Sequence, residues 1–145
     1  MQSLNIIYIE DDDEDFSFFT ETIETLKVSG SLTRGNNCTS VFSLLEQHKN
    51  THLIFLDINL PLKSGKECLR ELKANQHYKN IPVIILSGSN HPIDVDEMYE
   101  SGAHYHIVKP STHTNYVAAL EIITQLNWNM EQPIPLRENF LIEYA

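Results

Sequence analysis

A doubly wound α/β fold, built on a five-stranded parallel sheet with five helices, is predicted by three observations. Short apolar runs alternate along the chain with longer amphipathic segments. The runs 53–56 (Leu-Ile-Phe-Leu) and 83–86 (Val-Ile-Ile-Leu) have no polar face, as befits strands of a parallel sheet covered by helices on both sides. Several of these runs stop at a polar residue followed by Pro or Gly, which is where open α/β sheets place their chemistry.

In chain order, residues 4–9 read as a strand. Residues 15–28 read as a helix, with Phe16, Phe19, Ile23 and Leu26 at helical spacing. A strand over 32–37 is weakly marked, because Arg34, Gly35 and two asparagines interrupt it. Thr39 or Ser40 can cap the next helix, which carries Val41, Leu44 and Leu45. Residues 53–57 form the third strand. Residues 64–73 form a helix with Cys68, Leu69 and Leu72 inward, and 82–87 form the fourth strand. Residues 94–101 form a short helix ending at Gly102, a C-cap residue. Residues 104–108 are the last strand and 112–127 the last helix. The crossovers are expected to be right-handed. Residues 1–128 thus make one domain, and 129–145 form a tail outside the βα pattern. Pro133 and Pro135 exclude a helix in the tail. Its apolar end (Phe140, Leu141, Ile142, Tyr144) suits docking on this domain or on a partner.

The 145 residues suffice for one domain with a sizeable core. Formal net charge is −10, from 20 acids and 10 bases, and no basic helix is present, which argues against nucleic acid or an anionic membrane surface as partner. No apolar stretch approaches the roughly 18 residues of a membrane span. The start of the chain lacks the basic and apolar regions of a signal peptide, so the expected location is cytoplasmic. Cys38 and Cys68 lack metal-ligand spacing and are expected to be reduced packing residues. The seven histidines form no metal spacing either.

The strand ends hold the chemistry. The first carries Glu10 and Asp11, the third Asp57, the fourth Ser87-Gly88 and the fifth Lys109-Pro110. In a parallel sheet these groups share one edge. Two carboxylates at ~4 Å repel by about 4 kcal/mol at an effective dielectric of 20. A hard cation such as Mg²⁺ relieves that repulsion. A carboxylate held by Mg²⁺ and Lys is a poor general base but a competent nucleophile toward phosphorus. The run 10–15 contains six acids; Asp13, Glu14 and Asp15 read as the solvated start of the first helix.

The motifs Ile-Glu-Asp-Asp (9–12), Leu-Asp-Ile-Asn-Leu-Pro (56–61) with Gly65, Ile-Leu-Ser-Gly (85–88), Gly-Ala (102–103) and Val-Lys-Pro (108–110) stand in order at βα spacing. With them the chain resembles a receiver domain of two-component response regulators, the stand-alone (CheY-like) type without an output domain. The resemblance spans about residues 4–127. It implies a flavodoxin-like sheet of order 2-1-3-4-5. It implies that Asp57 accepts a phosphoryl group from a histidine kinase or histidine phosphotransfer protein. Mg²⁺ would be held by Asp11 and Asp57, by the main-chain carbonyl of Asn59, and by Glu10 through water. Ser87 would hydrogen-bond the phosphoryl group, Lys109 would pair with it, and a cis peptide would precede Pro110. The only chemistry implied is Mg²⁺-dependent gain and loss of phosphate at Asp57, so the chain is not expected to be an enzyme.

One position departs from that pattern. His106 stands where the family's switch residue is usually Tyr or Phe, which makes coupling from Ser87 to the surface altered or pH-sensitive. Asn59 disfavours a phosphohydrolase, which would need an acid two residues after the nucleophile. The acids after the first strand disfavour a flavin phosphate site. The alternative function is a phosphate-independent adaptor with a receiver fold. With no room for an output domain, the expected output is a protein contact: a kinase, a phosphotransfer protein or a second copy in a homodimer.

Overall fold

The computed structural model describes residues 2–144; Met1 and Ala145, the ends of the expected domain and tail, lie outside the described residues. Five βα units follow one another: β1 (Ser3–Ile9), α1 (Asp13–Thr25), β2 (Ser29–Gly35), α2 (Cys38–Gln47), β3 (Leu53–Leu56), α3 (Gly65–Ala74), β4 (Val83–Ser87), α4 (Pro92–Glu100), β5 (Tyr105–Val108) and α5 (His113–Thr124). A 3₁₀ turn (Arg137–Asn139) and a short strand β6 (Leu141–Ile142) follow. All pairings are parallel, in the order β2-β1-β3-β4-β5-β6.

Alternation along the strands divides the core into two layers. Ile7, Ile9, Ile54, Leu56, Val83 and Ile85 pack with Val41 and Leu45 of α2, Leu69 and Leu72 of α3, and Val95 and Met98 of α4. Leu4, Ile6, Tyr8, Leu53, Phe55, Ile84 and Leu86 pack with Phe19 of α1 and with Tyr116, Ala119, Leu120 and Ile123 of α5. Of the ring cluster in α1, Phe19 is buried and Phe18 exposed. Trp128 packs at the end of the last helix, its indole N–H donating to the Ile123 carbonyl at 2.7 Å.

The structure corrects several expectations. The second strand is a full seven residues, Ser29–Gly35, in register with all of β1. Arg34 does not interrupt it: its guanidinium reaches across to the Glu10 carbonyl (3.0 Å) and the Asp13 carboxylate (2.7 Å). The strand starts early because α1 stops at Thr25 and Lys27 turns the chain at φ 56°. The cap of α2 is Asn37, whose side chain accepts from the Ser40 amide, ahead of the position that Thr39 or Ser40 would give it.

The sheet also has a sixth strand. The tail returns along β5, where His106 pairs with Leu141 and Ile107 with Ile142, and Phe140 is fully buried. Cys38 and Cys68 are joined in a disulfide, with Cα atoms 5.6 Å apart, and among the described residues no cysteine is free. Adjacent helices on one sheet face bring them together across 30 residues, a proximity that their spacing does not reveal. The Lys109–Pro110 peptide is trans, the intrinsically preferred form of an X–Pro bond, rather than cis.

Candidate functional site: an acidic crevice closed by one lysine

The C-terminal ends of β1 and β3 are neighbours, so Glu10 and Asp57 face each other across one strand spacing. Glu10 is fully buried and Asp57 is 5% exposed. The Lys109 ammonium, arriving from the end of β5, donates to Glu10 Oε1 at 2.6 Å, Asp15 Oδ2 at 2.7 Å and Asp57 Oδ2 at 2.9 Å. Burial alone would lower the Lys109 pKa. Its hydrogen bonds to Asp15, Asp57 and Glu10 outweigh that and hold it well above its ordinary value.

The other oxygen of Asp57, Oδ1, accepts the backbone N–H of Asn59 at 3.0 Å. The loop can turn this tightly because Gly65 lies against it. The Gly65 amide donates to the Ile58 carbonyl at 2.8 Å, and a Cβ on Gly65 would stand 2.2 Å from the Asp57 carbonyl oxygen. Gly65→Ala is therefore expected to displace the segment 57–59, destabilise the fold by about 1–3 kcal/mol and weaken divalent-cation binding. Urea titration and a Mn²⁺ titration on the variant check both effects.

Glu10, Asp11 and Asp57 place ligand oxygens within 4.8 Å of one another. Burial pushes the Glu10 carboxyl up to about 8 against the pull of Lys109. Glu10 Oε2 is buried with no hydrogen-bond partner. A buried carboxylate oxygen without a donor needs either a proton or a cation. Three carboxylates (Glu10, Asp15, Asp57) meet the one ammonium, and the Glu10, Asp11 and Asp57 donor set fits a hard divalent ion.

Ser87 ends β4, fully buried, and its Oγ accepts the Ser89 N–H at 3.3 Å. His106 is fully buried, with Nε2 3.0 Å from the Ser89 carbonyl and its ring edge-on to Phe140 at 6.2 Å. Glu10, Asp11, Asp57 and Lys109 thus come together, the Asn59 N–H bonds Asp57 while the Asn59 side chain is exposed, and Ser87 and His106 are joined through Ser89.

Asp15, which reads as solvated in the sequence, is a member of the site. The Asp12–Asp15 pair that caps α1, with the Asp12 side chain accepting from Asp15 N, turns Asp15 back toward the sheet edge. That D-x-x-D spacing is the available signal. Ser89 carries no signal in the sequence, and the apolar tail end marks Phe140 only as a docking residue, because the partners of both are distant along the chain.

Burial lowers the His106 pKa, opposed by its contact with the Ser89 carbonyl; burial lowers His104 in the same way. A folded-state pKa below the unfolded value near 6.5 means that the unfolded chain binds the proton first. The stability from neutral burial is then fully present above about pH 6.5 and declines as the pH falls toward the folded-state values. Urea midpoints at pH 7.5 and 5.5 should show that decline, and His106→Leu should reduce it while leaving the share of His104. An equal slope in wild type and His106→Leu would contradict this assignment.

The response regulator receiver domain profile matches residues 6–121. Response regulator Rcp1 of Synechocystis sp. (strain ATCC 27184 / PCC 6803 / Kazusa) is 32% identical over 110 residues, which cover 72% of this chain and 75% of that protein. The Mn²⁺-bound form of Rcp1 superposes with a TM-score of 0.75 at 27% identity, covering 92% of this chain and 99% of the other. The phosphorylated cyanobacterial phytochrome response regulator RcpA superposes with a TM-score of 0.78 at 26% identity, covering 93% and 100%.

Proposed function

The chain belongs to the response regulator receiver domain family, and from that membership we propose that it is a receiver phosphorylated on Asp57. The donor is a histidine kinase or histidine phosphotransfer protein. A carboxylate oxygen of Asp57 forms a bond to phosphorus as the bond to the donor's histidine nitrogen breaks, and the imidazole leaves with a proton. The observation that carries this reading is the Lys109 ammonium bonded to Asp57 inside a cluster of acids. Lys109 neutralises the nucleophile and then the phosphoryl oxygens. Ser87 supplies a hydroxyl to the same oxygens.

Glu10, Asp11, Asp57 and the Asn59 carbonyl would hold Mg²⁺, which offsets the charge of the approaching phosphoryl group when bound. The Mn²⁺-bound Rcp1 and the phosphorylated RcpA support both parts of this reading by similarity. Phosphorylation adds about −1.5 to −2 charges at Asp57. Moving a two-state surface from 1:99 to 99:1 takes ~5.5 kcal/mol of differential interaction. New bonds from Ser87, Lys109 and the metal are the source of that difference.

The output is a changed protein contact, and the chain works in the cytosol beside its donor. No helix among the described residues is long and apolar enough to cross a membrane. The test is intact mass after incubation with a small-molecule phosphodonor, with and without Mg²⁺. One phosphoryl group is expected on wild type with Mg²⁺ and none on Asp57→Asn. Equal labelling of the mutant would overturn the assignment.

A further inference from the structure

We infer that residues 135–143 are a latch on the switch, held against β5 in the resting state and loosened when Asp57 is phosphorylated. The inference rests on the reading of Asp57 as the phosphoacceptor. Its structural basis is the position of Ser89. The Ser89 N–H donates to Ser87 Oγ at 3.3 Å, its carbonyl lies 3.0 Å from His106 Nε2, and its hydroxyl donates to Asp94 Oδ2 of α4 at 2.8 Å. One residue therefore ties the phosphate-sensing hydroxyl to β5 and to α4.

The tail grips these same elements. The His106 amide donates to the Phe140 carbonyl at 3.1 Å, and the Phe140 ring meets His106 and, at 5.0 Å, Tyr99 of α4. The Asn90 side-chain amide, next to Ser89, donates to Glu143 at 2.7 Å. The Tyr99 hydroxyl donates to the Pro135 carbonyl at 2.8 Å, and Arg137 pairs with Asp96 at 2.8 Å. These holds on the tail are all on β5, on α4 or on the loop between β4 and α4.

Turning Ser87 Oγ toward a phosphoryl group withdraws the acceptor from the Ser89 N–H. Residues 88–90 then lose one of their anchors, and two contacts that support the tail are the next to loosen: the Ser89 carbonyl that orients His106 beneath Phe140, and the Asn90–Glu143 bond. The bond from His106 N–H to Phe140 weakens with them. Release uncovers the β5 edge together with the buried faces of Phe140 and His106, a surface absent from the resting protein. Linkage requires the reverse as well: a weakened tail must favour the phosphorylated conformation by the same factor.

The experiment is amide hydrogen exchange at His106, Asn139 and Phe140 in the full-length chain, with and without Mg²⁺ and the trifluoroberyllate anion, an acyl-phosphate mimic. Fluorine NMR reports whether the anion is bound. Exchange at these amides is expected to accelerate about 5- to 150-fold on binding, the usual span of an allosteric coupling. It should stay unchanged in Ser87→Ala carrying the bound anion. Glu143→Ala should bind the anion more tightly than wild type. Bound anion with unchanged tail exchange would overturn the latch alone. Failure of wild type to bind the anion would overturn the phosphoacceptor reading and the latch with it.

Discussion

Lys109→Met is expected to lower the free energy of unfolding by about 3 kcal/mol at neutral pH in the absence of divalent metal. The ammonium meets three carboxylates, but they do not count equally. The Asp15 side chain is 36% exposed and can turn to water, so its pairing is worth the ~0–1 kcal/mol of a surface ion pair. Glu10 and Asp57 are 0% and 7% exposed at the side chain and have no such escape. Removing their partner leaves two buried carboxylates facing each other, and breaking a buried pair costs about 3–5 kcal/mol. The lower end applies because burial raises Glu10 to about 8, so that near neutral pH it already holds a proton for much of the time and repels Asp57 less. Methionine keeps the apolar stem of the lysine, so lost packing contributes little.

Mg²⁺ is likewise expected to restore more stability to Lys109→Met than it adds to wild type. A cation in the crevice relieves a repulsion that wild type has already relieved with its lysine. Urea titrations in EDTA and in excess Mg²⁺ on both proteins measure the four free energies. Equal stability of variant and wild type in EDTA would show that Lys109 is not what permits the acids to converge.

Much of this crevice is legible in the amino-acid sequence, for a physical reason. In a parallel sheet every strand ends on the same edge, so residues that close apolar runs are brought together by topology alone. Glu10, Asp57, Ser87 and Lys109 are legible on that ground. Asp15 is not, because its role depends on helix rotation: the capping of α1 by Asp12 directs Asp15 at Lys109 rather than at solvent. The second strand is hard to place because Arg34 looks like an interruption until its cross-strand partners, the Glu10 carbonyl and Asp13, are known. The disulfide and the sixth strand are hidden for one reason. Each joins segments far apart in sequence, Cys38 to Cys68 and Phe140 to β5, and periodicity carries no such information.

Phe140→Ala is expected to cost about 3–5 kcal/mol, the range for removing a fully buried Phe side chain. The size of the effect reports how the tail is attached. Phe140 is wedged among Tyr99, His106 and the Arg137 guanidinium, which stands 5.9 Å from its ring centroid. If the tail cannot leave, the substitution opens a cavity and the full cost appears. If detaching the tail costs less than the cavity, the variant detaches instead, and the measured loss equals the docking free energy. Truncation after residue 135 separates the two cases: it loses the docking free energy whatever happens at the cavity. Equal losses in Phe140→Ala and the truncation identify a segment that comes off as one unit, which a latch requires. A smaller loss in Phe140→Ala than in the truncation would mean that the tail stays docked over the cavity because leaving costs more, and such a tail is fixed and cannot act as a latch. A loss below about 0.5 kcal/mol, the scale of an ordinary surface substitution, would mean that Phe140 is not part of the core.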